Sequence, residues 1–326
     1  MNDRCVSLLD NYDIEVLRTW KGRGAILCET KQGTLIFKEY VGQTEKLKAE
    51  SVFLEHIKEH GFSTAESILP DKEGELFIQD REGFHYILKT YPEGRECNVK
   101  DMWECRQAME TLAKLHTVSR LEQDRENENS LHMEVEFEKH NREMKKVQRF
   151  LKERGQKTDF ERYLLKSYDY FFPRALEITE EAAFFHNSFL TRPAIMCHGD
   201  YQYHNILLTD IQMHIINFEK CMTDHPVRDI YLFLRKIMEK SNWSQSIGED
   251  LLEAYLTHYE LEQEDLRQLY YRLSYPEKFW KIVNFYYNTR KSWIPMKNME
   301  KLEKVIAQEQ EKQGFLNAYR KKYGLF

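Results

Sequence analysis

His198-Gly199-Asp200-Tyr201-Gln202-Tyr203-His204-Asn205-Ile206-Leu207, and after it Ile215-Ile216-Asn217-Phe218, is the stretch that decides how the whole chain reads. Short apolar runs flank an Asp that is followed five residues later by an Asn. A carboxylate placed in this way can orient an attacking hydroxyl or accept its proton. The Asn side-chain oxygen, one loop further along, can hold Mg²⁺ against phosphate groups. An isolated Asp-x4-Asn is more often a turn cap followed by the start of a strand. The complete string, with its second apolar run, favours the chemical reading.

Upstream, the first ninety residues carry period-2 signals. TLIFKEY (34–40), ELFIQD (75–80) and HYILKTY (85–91) are β-branched and aromatic runs, each preceded by Gly33, Gly74 or Gly83. IEVLRTW and AILCETKQG predict a hairpin around Lys21-Gly22-Arg23-Gly24. Between the third and fourth strands a helix is expected from Thr44 to His60. Its Leu47, Phe53, Leu54 and Ile57 lie on one side, and Gly61 sits past its end. The order predicts a small antiparallel sheet with one helix packed on it.

After Pro92-Glu93-Gly94 the pattern becomes mostly helical, with helices expected over Met102–Val118, Val135–Arg154 and Asp159–Asn187. Residues 121–130 read as a polar connector, and the chain returns to helices from Pro226. The expected class is therefore α+β in two lobes. A sheet-bearing lobe spans 1–90, and a large, mainly helical lobe spans 91–326 and carries the 197–219 loop.

The 326 residues and ordinary apolar and charged fractions suit a globular protein. No apolar run approaches the ~20 residues that span a bilayer, and the N-terminus carries no secretion signal. Cytosolic synthesis is the expectation. The six cysteines are scattered singly and read as reduced thiols. A formal charge of −6, with acidic and basic residues interleaved, argues against nonspecific nucleic-acid binding.

The His198–Leu207 string and Ile215–Phe218 resemble the catalytic loop and metal site of the aminoglycoside and choline kinase-like superfamily. Further landmarks follow in that order. The resemblance implies that Lys38, in LIFKEY, reaches the α- and β-phosphates with Glu50 of the following helix as its partner. Thr90-Tyr91-Pro92-Glu93-Gly94 resembles the hinge that meets adenine. His116 in LAKLH, His198 and Asp229 are implied structural supports, Asp229 as a brace for the loop. TyrProGluLysPheTrpLys (275–281), the run Tyr286 to Pro295 and DIYLFLRK (229–236) resemble, more narrowly, the spore coat protein S (CotS) family. By their pattern alone, Phe279, Ile282, Val283, Tyr286 and Tyr287 form an apolar helical stripe of the kind that is more often core than binding site.

Two departures qualify the resemblance. The hairpin offers only Lys21-Gly22-Arg23-Gly24-Ala25 rather than a full glycine-rich loop, so a nucleotide would be covered weakly or met by Arg23. Asn217 stands where the family has its metal-binding Asp, removing a negative charge from a hard-cation site. Asn205 and Asn217 are then the metal ligands, with Glu219 as a substitute carboxylate if the strand stays extended. Asp200 remains as the catalytic acid.

Two functions follow. One is an endospore coat protein, made in the mother-cell cytoplasm, presenting a kinase-like fold to other coat proteins. The other is an ATP- and Mg²⁺-dependent phosphotransferase acting on a hydroxyl of a small molecule or coat protein. An aminoglycoside-resistance kinase is disfavoured, because Lys278, Lys281, Arg290 and Lys291 stand where such enzymes carry an acidic acceptor pocket.

Overall fold

The computed structural model describes residues 3–22, 24–120, 133–185, 194–210, 212–289 and 295–325. Contacts group the described parts of the chain into two compact units. One is drawn from residues 1–124, 195–223 and 254–259, the other from 125–194, 224–253 and 260–326.

In the first unit, β1 (Val16–Lys21), β2 (Ala25–Thr30) and β3 (Gly33–Tyr40) form an antiparallel meander. Helix α1 (Thr44–Glu59) follows, then β4 (Ile68–Leu69), β5 (Ile78–Gln79) and β6 (His85–Thr90). The sheet order is β1-β2-β3-β6-β4, with β5 also paired to β6. The expected first hairpin forms: the Gly22 N–H donates to the Ala25 carbonyl at 2.9 Å. Gly24 turns the chain with φ +68°. The strand expected over 75–80 shrinks to two residues. Asp71 and Asp80 take up the flanking backbone, each accepting two N–H groups, from Glu73 and Glu75 and from Glu82 and Phe84.

Register decides which side chains meet. Lys38 lies opposite Ile87 and Ile36 opposite Lys89, and facing residues of an antiparallel pair share a face. One face therefore carries Ile36, Lys38, Tyr40, Ile87 and Lys89, with Tyr40 and Ile87 packed on Leu47 of α1. The other carries Leu35, Phe37, Tyr86 and Leu88, joined by Leu9 and Tyr12. Phe37 stacks on Tyr86 with ring centres 5.4 Å apart, and Tyr12 meets Phe37 edge-on. Leu9 belongs to a 3₁₀ segment, Asp3–Asn11, that lies outside the elements expected from the sequence.

The same unit continues through β7 (Arg95–Glu96) and α2 (Met102–Val118), the latter capped by Asp101, whose carboxylate accepts from Trp103 and Glu104 N–H. It then includes β8 (Ile195–Cys197), β9 (Ile206–Leu208) and β10 (Met213–Ile215). Strands β10, β9 and β7 pair in that order. β11 (Met222–Asp224) leads into the second unit.

The second unit holds α3 (Met133–Glu153), α4 (Asp159–Phe184), α5 (Val227–Lys240), α7 (Gln263–Ser274), α8 (Glu277–Asn288), α9 (Pro295–Ala307) and α10 (Glu309–Lys322). It also takes the first turns of α6 (Gln245–Leu256). Thr158 and Glu161 close a capping box on α4. Phe279 stacks on Phe171 at 4.7 Å, and Tyr275 stacks on Phe137 while donating to Asn141 at 2.8 Å. The stripe on α8 is core at Phe279, Ile282 and Val283, whereas Tyr287 lies at the surface. Residues 290–294 fall outside the described residues.

Cys28, Cys97, Cys105, Cys197 and Cys221 are buried and belong to no disulfide among the described residues. Burial pushes the Cys28 thiol up to about 11 and those of Cys97 and Cys221 up to about 12, which keeps them protonated and unreactive. Among the described residues no helix is long and apolar enough to cross a membrane.

Candidate active site

His198 ties the loop between β8 and β9 to the segment that follows β10. Its buried Nδ1 accepts the Asp200 N–H at 3.1 Å, and its Nε2 faces the Ile216 carbonyl at 3.0 Å. A carbonyl can only accept, so Nε2 carries the proton and the ring is neutral. Gly199 permits the turn: its φ is +77°, and a Cβ there would stand 2.0 Å from the Lys220 carbonyl oxygen. Tyr201 anchors the loop to α2 by donating to the Ala108 carbonyl at 2.6 Å. Asn205 closes it through Nδ2, which donates to the Asp200 carbonyl at 2.9 Å.

Asp200 is in the loop as expected, and both its oxygens are engaged. Gln202 donates to Oδ1 at 2.6 Å, and the exposed Lys220 ammonium lies 2.9 Å from Oδ2. Asn205 and Asn217 are also brought together. Asn217 sits in the left-handed region (φ 65°, ψ 55°), which Asn tolerates better than most residues. Its Nδ2 donates to Asn205 Oδ1 at 2.8 Å, and its Oδ1 accepts from Lys38 Nζ at 3.0 Å. An ammonium has only donors, so Lys38 fixes the amide in this orientation. Glu219 does not continue a strand, as its sequence reading required, because Phe218–Lys220 is a 3₁₀ turn. Its carboxylate nevertheless forms an ion pair with Lys38.

The expected Lys38–Glu50 pair is not made. Glu50 is fully buried and meets Lys89 of β6 instead, with Nζ 2.6 Å from Oε1. Lys89 also contacts Glu66 at 2.9 Å and Glu219 at 3.6 Å. The reason is register: Lys38 and Lys89 share one face of the sheet, and Lys89 is the more deeply buried of the two. Glu66, which sequence reading missed, is central here. Residues 64–66 run along β10, with Thr64 accepting from the Ile215 N–H and Glu66 donating to the Ile215 carbonyl. The Glu66 carboxylate then accepts the N–H of the Asn217–Phe218 peptide at 3.0 Å.

The electrostatics of this cluster follow from burial and partners. Burial raises the Glu50 carboxyl above its ordinary range despite the opposing pull of Lys89, and its Oε2 has no partner among the described residues. Burial also works to raise Glu66, but Lys89, Lys38 and the peptide N–H outweigh it and hold Glu66 below its ordinary value. Burial would discharge Lys89, yet Glu66, Glu50 and Glu219 together keep it charged.

The remaining expected residues take structural positions. The Thr90 hydroxyl accepts the Ser67 N–H at 2.8 Å, and the Tyr91 N–H donates to the Thr34 carbonyl at 2.9 Å, so both tie down the end of β6. His116 on α2 is buried, with Nδ1 2.7 Å from the Tyr255 hydroxyl. Asp229 is buried in the first turn of α5, in the second unit. Arg23 lies outside the described residues.

Mg²⁺ asks for oxygens free of donors, usually including a carboxylate. Asn205 Oδ1 and Asn217 Oδ1 are neutral amide oxygens that each already accept from an N–H donor, and the Glu219 carboxylate is taken up in an ion pair with Lys38. This donor set, as arranged, does not fit the ion.

Residues 6–319 match the profile of the family described as "Spore coat putative kinase YutH". The search of curated proteins found no match. Among solved structures, an aminoglycoside phosphotransferase from Alicyclobacillus acidocaldarius is similar over 98% of this chain and 96% of its own, with TM-score 0.84 and 18% identity. A spectinomycin phosphotransferase solved with ADP and spectinomycin is similar over 95% and 99%, with TM-score 0.65 and 12% identity. An amicoumacin kinase solved with AMP-PNP and Ca²⁺ is similar over 96% and 94%, with TM-score 0.62 and 11% identity. At these identities the likeness establishes the kinase-like aminoglycoside phosphotransferase fold, as expected from the sequence.

Proposed function

The chain belongs to the YutH spore coat kinase family, a CotS-like group within the aminoglycoside and choline kinase-like superfamily, and from that premise we propose that it is an endospore coat component whose phosphotransfer centre is closed. The observation that carries this reading is the amide lock: Asn217 spends its Nδ2 on Asn205 and its Oδ1 on Lys38. The phosphate-type lysine and both amides of the metal site thereby satisfy one another. Such a protein serves through its surfaces, with other spore coat proteins as its partners, after synthesis in the mother cell.

Thermal unfolding with ATP, with and without Mg²⁺, tests the closure. The natural protein is expected to show no Mg²⁺-dependent shift, and Asn217→Asp to gain one. At a hundredfold excess over Kd that gain corresponds to about 2.7 kcal/mol. A Mg²⁺-dependent shift in the natural protein would overturn the closure, and failure to localise to forming spores would overturn the coat assignment.

A second reading is favoured by Asp200 and Glu219: the catalytic-type acid is retained, and a carboxylate stands beside Lys38. On that reading the protein is an ATP-dependent phosphotransferase acting on a hydroxyl. Asp200 orients the acceptor and Lys38 holds the phosphates once nucleotide draws it away from Glu219. ATP turnover by the natural protein that disappears in Asp200→Ala would establish it.

A further inference from the structure

A pocket of about 200 Å³ opens within the second unit, lined by residues of α5, α8, α9 and α10. Seven of its lining side chains are Lys or Arg and three are Glu, in a chain whose formal net charge is −6. The three carboxylates are already engaged. Glu239 pairs with Arg235 and Lys278, Glu277 with Lys281 at 3.1 Å and His140 at 3.4 Å. Glu309 accepts from the Tyr170 hydroxyl and the Gln313 amide.

The cations are left in excess. Among the described residues Lys236 and Lys304 form no ion pair, and the buried Arg235 Nε has no hydrogen-bond partner. Burial first, and then the nearby Lys278, Lys240 and Arg235 charges, hold the Lys236 ammonium below its ordinary value, against the opposing pull of Glu239. Lys312 lies buried at the base of α10, donating to the Ser274 and Tyr275 carbonyls at 3.2 and 3.3 Å. The lining also contains Tyr275, Pro276 and Lys278, part of the Tyr-Pro-Glu-Lys-Phe string to which neither reading of the phosphotransfer centre gives a task.

We propose that this pocket is a binding site for a small anion carrying two or more phosphate or carboxylate groups. The volume is below that of most drug-sized sites, so the ligand is small. Lysine heads, as mobile point charges on long stems, suit phosphate and carboxylate oxygens without demanding one fixed geometry. The site does not depend on whether the phosphotransfer centre is open or closed, because every residue invoked belongs to the second unit.

Isothermal titration of the full chain with pyrophosphate and, separately, with citrate tests the proposal. One equivalent of at least one of these anions is expected to bind, more weakly as salt is raised. Lys236→Glu/Lys304→Glu is expected to lose at least about tenfold in affinity, a 1.4 kcal/mol change. Lys236→Gln/Lys304→Gln, which keeps a neutral polar surface, is expected to lose less, and Lys38→Ala is expected to bind as the natural protein does. Pyrophosphate stronger than citrate assigns phosphate as the preferred group, and the reverse order assigns carboxylate. Absence of binding by either anion overturns the proposal. So does binding lost in Lys38→Ala and unaffected by the Lys236/Lys304 changes, which would place the anion at the phosphotransfer centre instead.

Discussion

Lys89 Nζ stands 2.6 Å from Glu50 Oε1 with both side chains fully buried, so the helix glutamate draws its lysine from β6 and not from β3. With Glu66 on the same ammonium, the arrangement is a buried triad. Removing one member of such a group leaves the others charged and desolvated, which typically costs about 3–5 kcal/mol.

Lys89→Met is therefore expected to destabilise the protein by that amount in urea unfolding. Lys38→Met is expected to cost much less, because Glu219 is about a third exposed and water can replace its partner. A larger loss for Lys38→Met than for Lys89→Met would mean that β3 supplies the structural lysine after all.

Gly199→Ala tests the loop geometry. The left-handed φ alone costs an L-residue about 1–2 kcal/mol. The new Cβ would also meet the backbone oxygen of Lys220, which cannot rotate away as a side chain could. A loss above about 2 kcal/mol is expected, together with weakened protection of the Asp200 and Ile216 segment in hydrogen exchange. An unchanged midpoint would show that the Lys220 turn moves freely.

Much of this was legible in the sequence because it is local. The Lys21–Ala25 turn, the α1 stripe and the His198–Leu207 string are each fixed by residues close together in the chain, and each appears where expected. The identity of the Glu50 partner was not legible. HYILKTY reads as an ordinary strand, and only the pairing of Ile36 with Lys89 and of Lys38 with Ile87 shows that the two lysines compete on one face. Glu66 was invisible for a similar reason: it sits outside any periodic run, and its task depends on the Ile215 backbone some 150 residues later. The Asn217 amide lock likewise needs three segments at once.

Acid should expose one helix start in the second unit. Burial works to raise the Glu277 carboxyl, but the His140 ring 3.4 Å away and the Lys281 charge outweigh it and hold it at about 2, below its ordinary 4.5. A depressed carboxyl contributes stability that is present above pH 4.5 and lost as pH falls toward about 2. The contribution is on the order of 3 kcal/mol. Glu277→Gln is expected to lower the midpoint at pH 7 and to flatten its fall between pH 5 and 2. Parallel pH profiles for the two proteins would assign the acid sensitivity elsewhere.

Position 217 combines a backbone demand with a side-chain one, and substitutions can separate them. Asn217→Gly keeps the left-handed turn free of strain and loses only the two side-chain hydrogen bonds, each worth about 1 kcal/mol. Asn217→Ala loses the same bonds and adds the left-handed penalty, so it should be the less stable by about 1–2 kcal/mol. Asn217→Asp keeps a residue that tolerates this turn and strengthens the attraction to Lys38, but it can no longer donate to Asn205. Its new oxygen would face Asn205 Oδ1 unless the Asn205 amide rotates, and rotation breaks the bond from Asn205 Nδ2 to the Asp200 carbonyl. A loss of about 1 kcal/mol without metal, recovered on adding Mg²⁺, is the expected result in urea titrations. Equal stability of the Ala and Gly variants would remove the backbone part of this account. Recovery of Asn217→Asp without Mg²⁺ would remove the part that links the Asn217–Asn205 contact to a closed metal site.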